Sequence, residues 1–394
     1  MSSAHHTPFF LVLMLWAGAG LGAAAQYGKI SVIFHQLPLV YPDAGSNIGF
    51  VVSLVGLVGI VFGVVAGLIV ARIRYRRALL WALWAGALVS FIQAFLPPLP
   101  VMLLTRAVEG LSHLAIVVAA PTLIAQLSAP RHRGFTLTLW ATFFGVAYAL
   151  LVLLGLPLVD WLGLSALFVA HGLWMAASAL ILGATLRPLE DAGQPASISL
   201  PGVLRDHLTI YRSPYLAAPA AGWLFYTFCF LSTLTILPPF LPEDSRALLL
   251  AAMPLVSIAV SLTLGVYALR RFTAVQVVQA GFVMVILSLL WLLMTPGAPL
   301  ACLAWAASVG LVQGATFAAV PQMAEDAADQ AKANGALAQM GNLGNTLGTP
   351  LLVIVIGFGG YPAMIWTTII LFAMGFASHL WMGLRRQIRP ARAS

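Results

Sequence analysis

Lys29, Arg106 and Glu109 are charges placed inside long apolar stretches, where a side chain of either sign is hardest to keep. Arg106, Glu109, Gly110 and His113 recur at intervals of three and four, which puts them on one face of a helix. Gln26 and Lys29 share a face of another helix for the same reason. A carboxylate beside two cations can take up and release a proton, balance a bound anion, or lock two helices as an ion pair. His113, whose unperturbed pKa is near 6.5, is a second candidate proton carrier beside Glu109. On the charge count alone the group holds an excess of one positive charge, which favours a small anion as its ligand.

The elements that position these groups follow from composition. Only 8% of the 394 residues are charged, and the mean hydropathy is +0.99. A water-soluble fold cannot hide so much apolar surface, so the surrounding solvent is lipid. Stretches long enough to cross a hydrocarbon layer run approximately over 9–37, 46–70, 78–96, 101–125, 134–158, 163–186, 214–238, 246–268, 275–294, 300–323, 334–357 and 361–384. None alternates with period two, so helices are favoured over a barrel. A charge near a bilayer centre costs roughly 2.5–3.5 kcal/mol, so the three intramembrane charges are expected to face a wet cavity or one another. Counting from Leu37, Lys29 lies about 12 Å into span 1. Counting from Val101, Arg106, Glu109 and His113 lie about 8, 12 and 18 Å into span 4. A Lys29–Glu109 pair is therefore expected.

The remaining basic residues give the orientation. Arg72, Arg74, Arg76, Arg77, Arg131, Arg133, Arg187, Arg205, Arg212, Arg270, Arg271, Lys332, Arg385, Arg386, Arg389 and Arg392 all fall on one side of the span pattern, and only Arg246 falls on the other. By the positive-inside rule that side is cytoplasmic, and both termini lie there. The pI of about 9.9 reflects this bias and anionic lipid, with no nucleic-acid partner implied. The run Leu21-Gly22-Ala23-Ala24-Ala25 has the look of a signal-peptidase site. No Lys or Arg precedes it and the apolar stretch continues beyond it, so span 1 is expected to be retained. Cys229 and Cys302 fall inside spans and read as inert packing residues.

The chain repeats itself. Gly110-Leu111-Ser112-His113 with Pro121 in span 4 corresponds to Gly310-Leu311-Val312-Gln313 with Pro321 in span 10. Gly67 precedes Arg72 by five residues at the end of span 2, and Gly265 precedes Arg270 by five at the end of span 8. The Pro- and Gly-containing polar stretch 187–213 separates the repeats. The expected organisation is a six-helix bundle over 1–186, a central cytoplasmic loop over 187–213 and a second six-helix bundle over 214–394.

With twelve spans, a 6+6 repeat and this central loop, the chain resembles the major facilitator superfamily over nearly its whole length. The family's loop motif between spans 2 and 3, roughly Gly-x-x-x-Asp-Arg-x-Gly-Arg-Arg/Lys, is matched by Gly67, Arg72 and Arg76. Ala71 replaces the Asp that helps latch the family's outward-open state, and Arg74 replaces the second Gly. Arg106 and Gly110 match the Arg-x-x-x-Gly of span 4, whereas Gly145-Val146-Ala147 lacks the proline of the span 5 antiporter motif. The resemblance implies an all-α membrane protein of twelve helices in two pseudo-symmetric bundles, working by alternating access. It places spans 1 and 4 on a central cavity and gives Gly67, Arg72, Arg76 and Arg270 a role in gating. It also implies that the glycine stripes of span 2 (Gly56, Gly59, Gly63, Gly67) and span 11 (Gly341, Gly344, Gly348) part and close during transport.

Positions 106, 109 and 113 correspond in the second repeat to Ala306, Val309 and Gln313, so charge is concentrated in the first half. The second half offers neutral groups: Tyr226 in span 7, Gln313 in span 10, and Asn342 and Asn345 in span 11. The expected function is uptake of a small organic anion by H⁺ symport. The alternatives are H⁺-coupled efflux of amphipathic compounds, or a non-transporting receptor or assembly protein on the same fold. No phosphate-binding loop, metal-ligand cluster or nucleophile elbow is found, so neither enzymatic activity nor a cofactor or metal is expected. The expected partners are the solute, protons and membrane lipid, with the chain a monomer. High Ala, Gly and Arg with scarce Lys points to a GC-rich bacterial genome, hence a bacterial inner membrane.

Overall fold

The computed structural model describes residues 8–63, 65–187, 200–324 and 327–388. The described residues are helical almost throughout and contain no strand, as lipid requires of a backbone that must satisfy its own hydrogen bonds. Among the described residues, ten helical segments are long and apolar enough to cross a membrane. The last, Lys332–Gln387, has 56 residues, about 84 Å at 1.5 Å per residue against a hydrocarbon layer of roughly 30 Å. It is broken at Gly360, whose φ of +61° lies in the left-handed region open to glycine, and so supplies two spans. With the 19-residue helix Tyr75–Gln93, the architecture is consistent with twelve spans.

The chain divides into two compact units, one of Met1–Ala44 with Val65–Ser197 and one of Gly45–Val64 with Ile198–Ser394. In the first unit, span 1 runs through Pro8–Met14, a wide π-type turn at Leu15–Gly20 and Leu21–Val32. It stops five residues short of the expected Leu37, because Ile33 leaves helical geometry at φ −98°, ψ 8°. A tight turn, Phe34–Gln36, follows. Leu15, Ala19 and Ala23 of span 1 pack with Leu79 and Leu83 of span 3, Ala119 and Leu123 of Leu99–Leu127, and Met175 of Leu164–Thr185. That core fixes the four helices that carry the polar cluster below.

In the second unit, the stretch 45–63 packs on the helix that follows Ala327. A Cβ at Gly59 would collide with the Asn342 carboxamide, and Gln339 Nε2 donates to the Ile60 carbonyl at 3.0 Å. Within the expected loop 187–213, residues 188–199 lie outside those described. Leu200–Arg212 is a helix held by Ile210, which is fully buried against Leu216, Ala220, Ala336 and Leu337. Tyr211 of this helix donates its hydroxyl to Gln339 Oε1 at 2.7 Å, and burial pushes that hydroxyl up to about 12. Cys229 and Cys302 are free and buried.

Candidate functional site

Four helices of the first unit deliver one polar cluster. Leu21–Val32 contributes Gln26 and Lys29, Tyr75–Gln93 contributes Ser90 and Gln93, Leu99–Leu127 contributes Arg106, Glu109, Ser112 and His113, and Leu164–Thr185 contributes His171. The spacings of three and four residues put each helix's polar groups on a common inward face. Lys29, Arg106, Glu109, Gln26, Ser90 and Gln93 have no exposed surface at all.

Glu109 is the centre. Its Oε1 lies 2.7 Å from Lys29 Nζ, and its Oε2 accepts from Arg106 Nη1 and, at 2.9 Å, from Gln93 Nε2. Arg106 also donates through Nη2 to the Gln26 carbonyl at 2.5 Å, tying span 4 to span 1. Lys29 donates to Ser90 Oγ at 2.6 Å and meets His171 Nδ1 at 3.1 Å. Its ammonium also stands 5.4 Å from the centre of the Phe168 ring. Each buried ion loses several kcal/mol of hydration, so an unpaired one is costly to hold in such surroundings. The single carboxylate therefore serves both cations at once, and the group retains a net charge of +1 with its histidines neutral.

Around this core, Gln26 Nε2 donates to Ser112 Oγ at 2.8 Å, and Ser112 donates to the Ala82 carbonyl at 2.7 Å. His113 Nδ1 lies 3.1 Å from the Ala23 carbonyl, and its ring sits edge-on to Tyr27 at 5.1 Å. Three buried polar atoms here have no protein partner: Gln26 Oε1, Gln93 Oε1 and the Tyr27 hydroxyl.

The structure thus brings Gln26, Lys29, Arg106, Glu109 and His113 together. The neutral candidates lie in the second unit. Tyr226 is buried in a column of near-parallel rings, 4.5 Å from Trp223 and 5.3 Å from Phe230, with Phe230 6.0 Å from Trp305. Asn342 packs over Gly59 and donates to its own helix at the Ala338 carbonyl, 2.8 Å away. Gln313 and Asn345 are half-buried on Pro299–Met323 and on the helix following Ala327.

The loop-motif residues separate by role. Gly67 and Arg72 lie on Ala66–Ile73, with Arg72 exposed, and Arg270 is exposed after Val266–Leu269. Arg76 instead reaches the C-terminus of Leu164–Thr185, donating to the carbonyls of Gly183 at 2.7 Å and Leu186 at 2.5 Å. These are carbonyls a helix end leaves unpaired, and a cation suits the negative end of the helix dipole. Arg74, at the position of the motif's second glycine, has φ +75°, ψ 127°.

Sequence reasoning missed Ser90, Gln93 and His171. Ser90 and Gln93 stand three apart in an otherwise apolar span, which is a readable signal. His171 is a lone imidazole, and only the packing of Leu164–Thr185 on span 1 shows its place.

Residues 9–247 match the sequence profile described as the Major Facilitator Superfamily. No curated protein sequence matches the chain. Among solved structures, it is similar to a bacterial homologue of the human lysosomal transporter Spinster in an inward-facing, occupied conformation, with a TM-score of 0.78 and 13% identity over 98% of each chain. It is also similar to the E. coli fucose:proton symporter FucP, with a TM-score of 0.67 and 14% identity over 96% of this chain and 99% of that one. At such identities the likeness is one of fold.

Proposed function

The chain belongs to the major facilitator superfamily, whose members are multi-pass membrane transporters, and we propose that this one takes up a small organic monoanion together with a proton. The observation that carries the reading is that Glu109 occupies Lys29 and Arg106 simultaneously, one carboxylate oxygen on each. An incoming carboxylate needs those same cations. It gains them when Glu109 takes a proton and its charge is lost. Proton and anion then bind cooperatively through shared partners, which is the requirement of symport.

Charge balance supports the same reading. The cluster carries +1 when empty, +2 with Glu109 protonated, and +1 again when a monoanion joins the proton. Empty and fully loaded forms therefore bury equal charge, so neither pays an additional desolvation penalty in crossing the membrane. Gln26 Oε1, Gln93 Oε1 and the Tyr27 hydroxyl, which no protein group satisfies, suit a solute bearing hydrogen-bonding groups rather than a closed structural ion pair. The arginine bias of its loops supports cytoplasmic termini, and its Ala-, Gly- and Arg-rich, Lys-poor composition supports a bacterial inner membrane.

A second reading, proton-coupled efflux of amphipathic compounds, is favoured by the Trp223–Tyr226–Phe230–Trp305 column. The direction of proton flow separates the two. Protein reconstituted in liposomes and challenged with small organic acids is expected to alkalinise the outside as label enters. Acidification on addition of lipophilic cations, with no response to acids, would favour efflux and remove the symport reading.

A further inference from the structure

We propose that His171 and Ser90 form a neutral cradle that keeps the Lys29 ammonium charged and in place while Glu109 carries a proton. The proposal rests on the proton-coupled reading above. Lys29 has three N–H donors, and three buried acceptors surround them: Glu109 Oε1 at 2.7 Å, Ser90 Oγ at 2.6 Å and His171 Nδ1 at 3.1 Å. The His171 tautomer follows from its other nitrogen. Nε2 lies 3.0 Å from the Gly22 carbonyl, which can only accept, so Nε2 carries the hydrogen and Nδ1 of the neutral ring presents a lone pair. Ser90 Oγ is 2.6 Å from that Nδ1, so the one lone pair is shared between the Ser90 hydroxyl and the Lys29 ammonium, while Ser90 Oγ itself accepts from Lys29.

The charged groups facing the imidazole are Lys29 from span 1 and Glu109 and Arg106 from span 4; span 3 contributes only the neutral Ser90. A second proton on Nδ1 would point a cation at the Lys29 ammonium across 3.1 Å. His171 is thus a fixed acceptor rather than a proton carrier. When Glu109 is protonated and turns away, two of the three acceptors stay, and the Phe168 ring face remains beside the ammonium. Lys29 is then free of its counter-ion yet still aimed, ready for an incoming anion. His171 acts through Lys29, as a positioning residue.

The test needs no solute. Thermal unfolding of the purified full-length protein, followed by tryptophan fluorescence, is measured for His171→Gln in the wild-type background and in a Glu109→Gln background that mimics the protonated carboxyl. The drop in Tm caused by His171→Gln is expected to be at least twice as large beside Glu109→Gln. His171→Asn, whose Oδ1 can stand where Nδ1 stood, should recover at least half of that drop. Lys29→Met should erase the excess. Equal drops in both backgrounds, an excess that survives Lys29→Met, or His171→Asn behaving as His171→Gln would each overturn the cradle. Should the Glu109→Gln/His171→Gln protein not fold, Ser90→Ala replaces His171→Gln in the same comparison and is read the same way. An acid-uptake assay on the wild type runs in parallel. Its failure would remove the symport reading, while the unfolding comparison still decides the cradle.

Discussion

Lys29 Nζ and Glu109 Oε1 stand 2.7 Å apart with both side chains fully excluded from solvent. An ion pair so placed is held by the whole cluster, and removing one member leaves the other's charge uncompensated. Glu109→Gln is therefore expected to abolish accumulation driven by a pH gradient while sparing counterflow of unlabelled against labelled solute. It should also lower stability by about 3–5 kcal/mol, because Lys29 and Arg106 lose the carboxylate they share. Accumulation that persists in Glu109→Gln moves the proton to His113.

Lys29→Met tests the anion. It removes one of the two cations an incoming carboxylate can reach, leaving Glu109 paired with Arg106 alone. Thermal-shift screening against small organic acids should lose its positive responses in this variant. Unchanged shifts would show that Lys29 does not meet the solute.

Arg74 occupies a backbone conformation, φ +75°, that side chains other than glycine rarely adopt. Such a residue stores about 1–3 kcal/mol of strain. Arg74→Gly restores the family's glycine there, and a rise in stability of about 1 kcal/mol is expected in thermal unfolding. A fall in Tm would mean that the Arg74 side chain contributes more than its backbone costs.

Arg76 and Arg72 share a loop motif but not a task. Arg76→Ala strips the last carbonyls of Leu164–Thr185 of two charge-assisted hydrogen bonds and should cost about 1.5–3 kcal/mol. Arg72 is exposed, and Arg72→Ala should leave stability within about 0.5 kcal/mol of wild type. Equal losses in the two variants would contradict this division.

Much of the cluster was legible in the residues themselves. The three-and-four spacing of Arg106, Glu109 and His113 is a local property of one helix, and the cost of a charge in lipid argued that Lys29 should find Glu109. His171 and Ser90 were not legible in that way. A single polar group in an apolar span carries no periodicity, and its partners are chosen by the packing of four helices. Span 1 read too long for a related reason: Phe34 and Leu37 are apolar, and hydropathy does not register the turn at Ile33. Arg74 shows the reverse case. A departure from the family's glycine was visible in the sequence, and its consequence became measurable only as a backbone angle.

The central claim is that one proton and one monoanion enter together and leave the buried charge unchanged. The direct measurement is the ratio of proton to labelled-acid uptake in proteoliposomes, with the membrane potential clamped at several values. The account predicts a ratio of one and a rate that follows the pH gradient and ignores the potential. Uptake driven by potential with no pH gradient, or acid entry without proton entry, would contradict it.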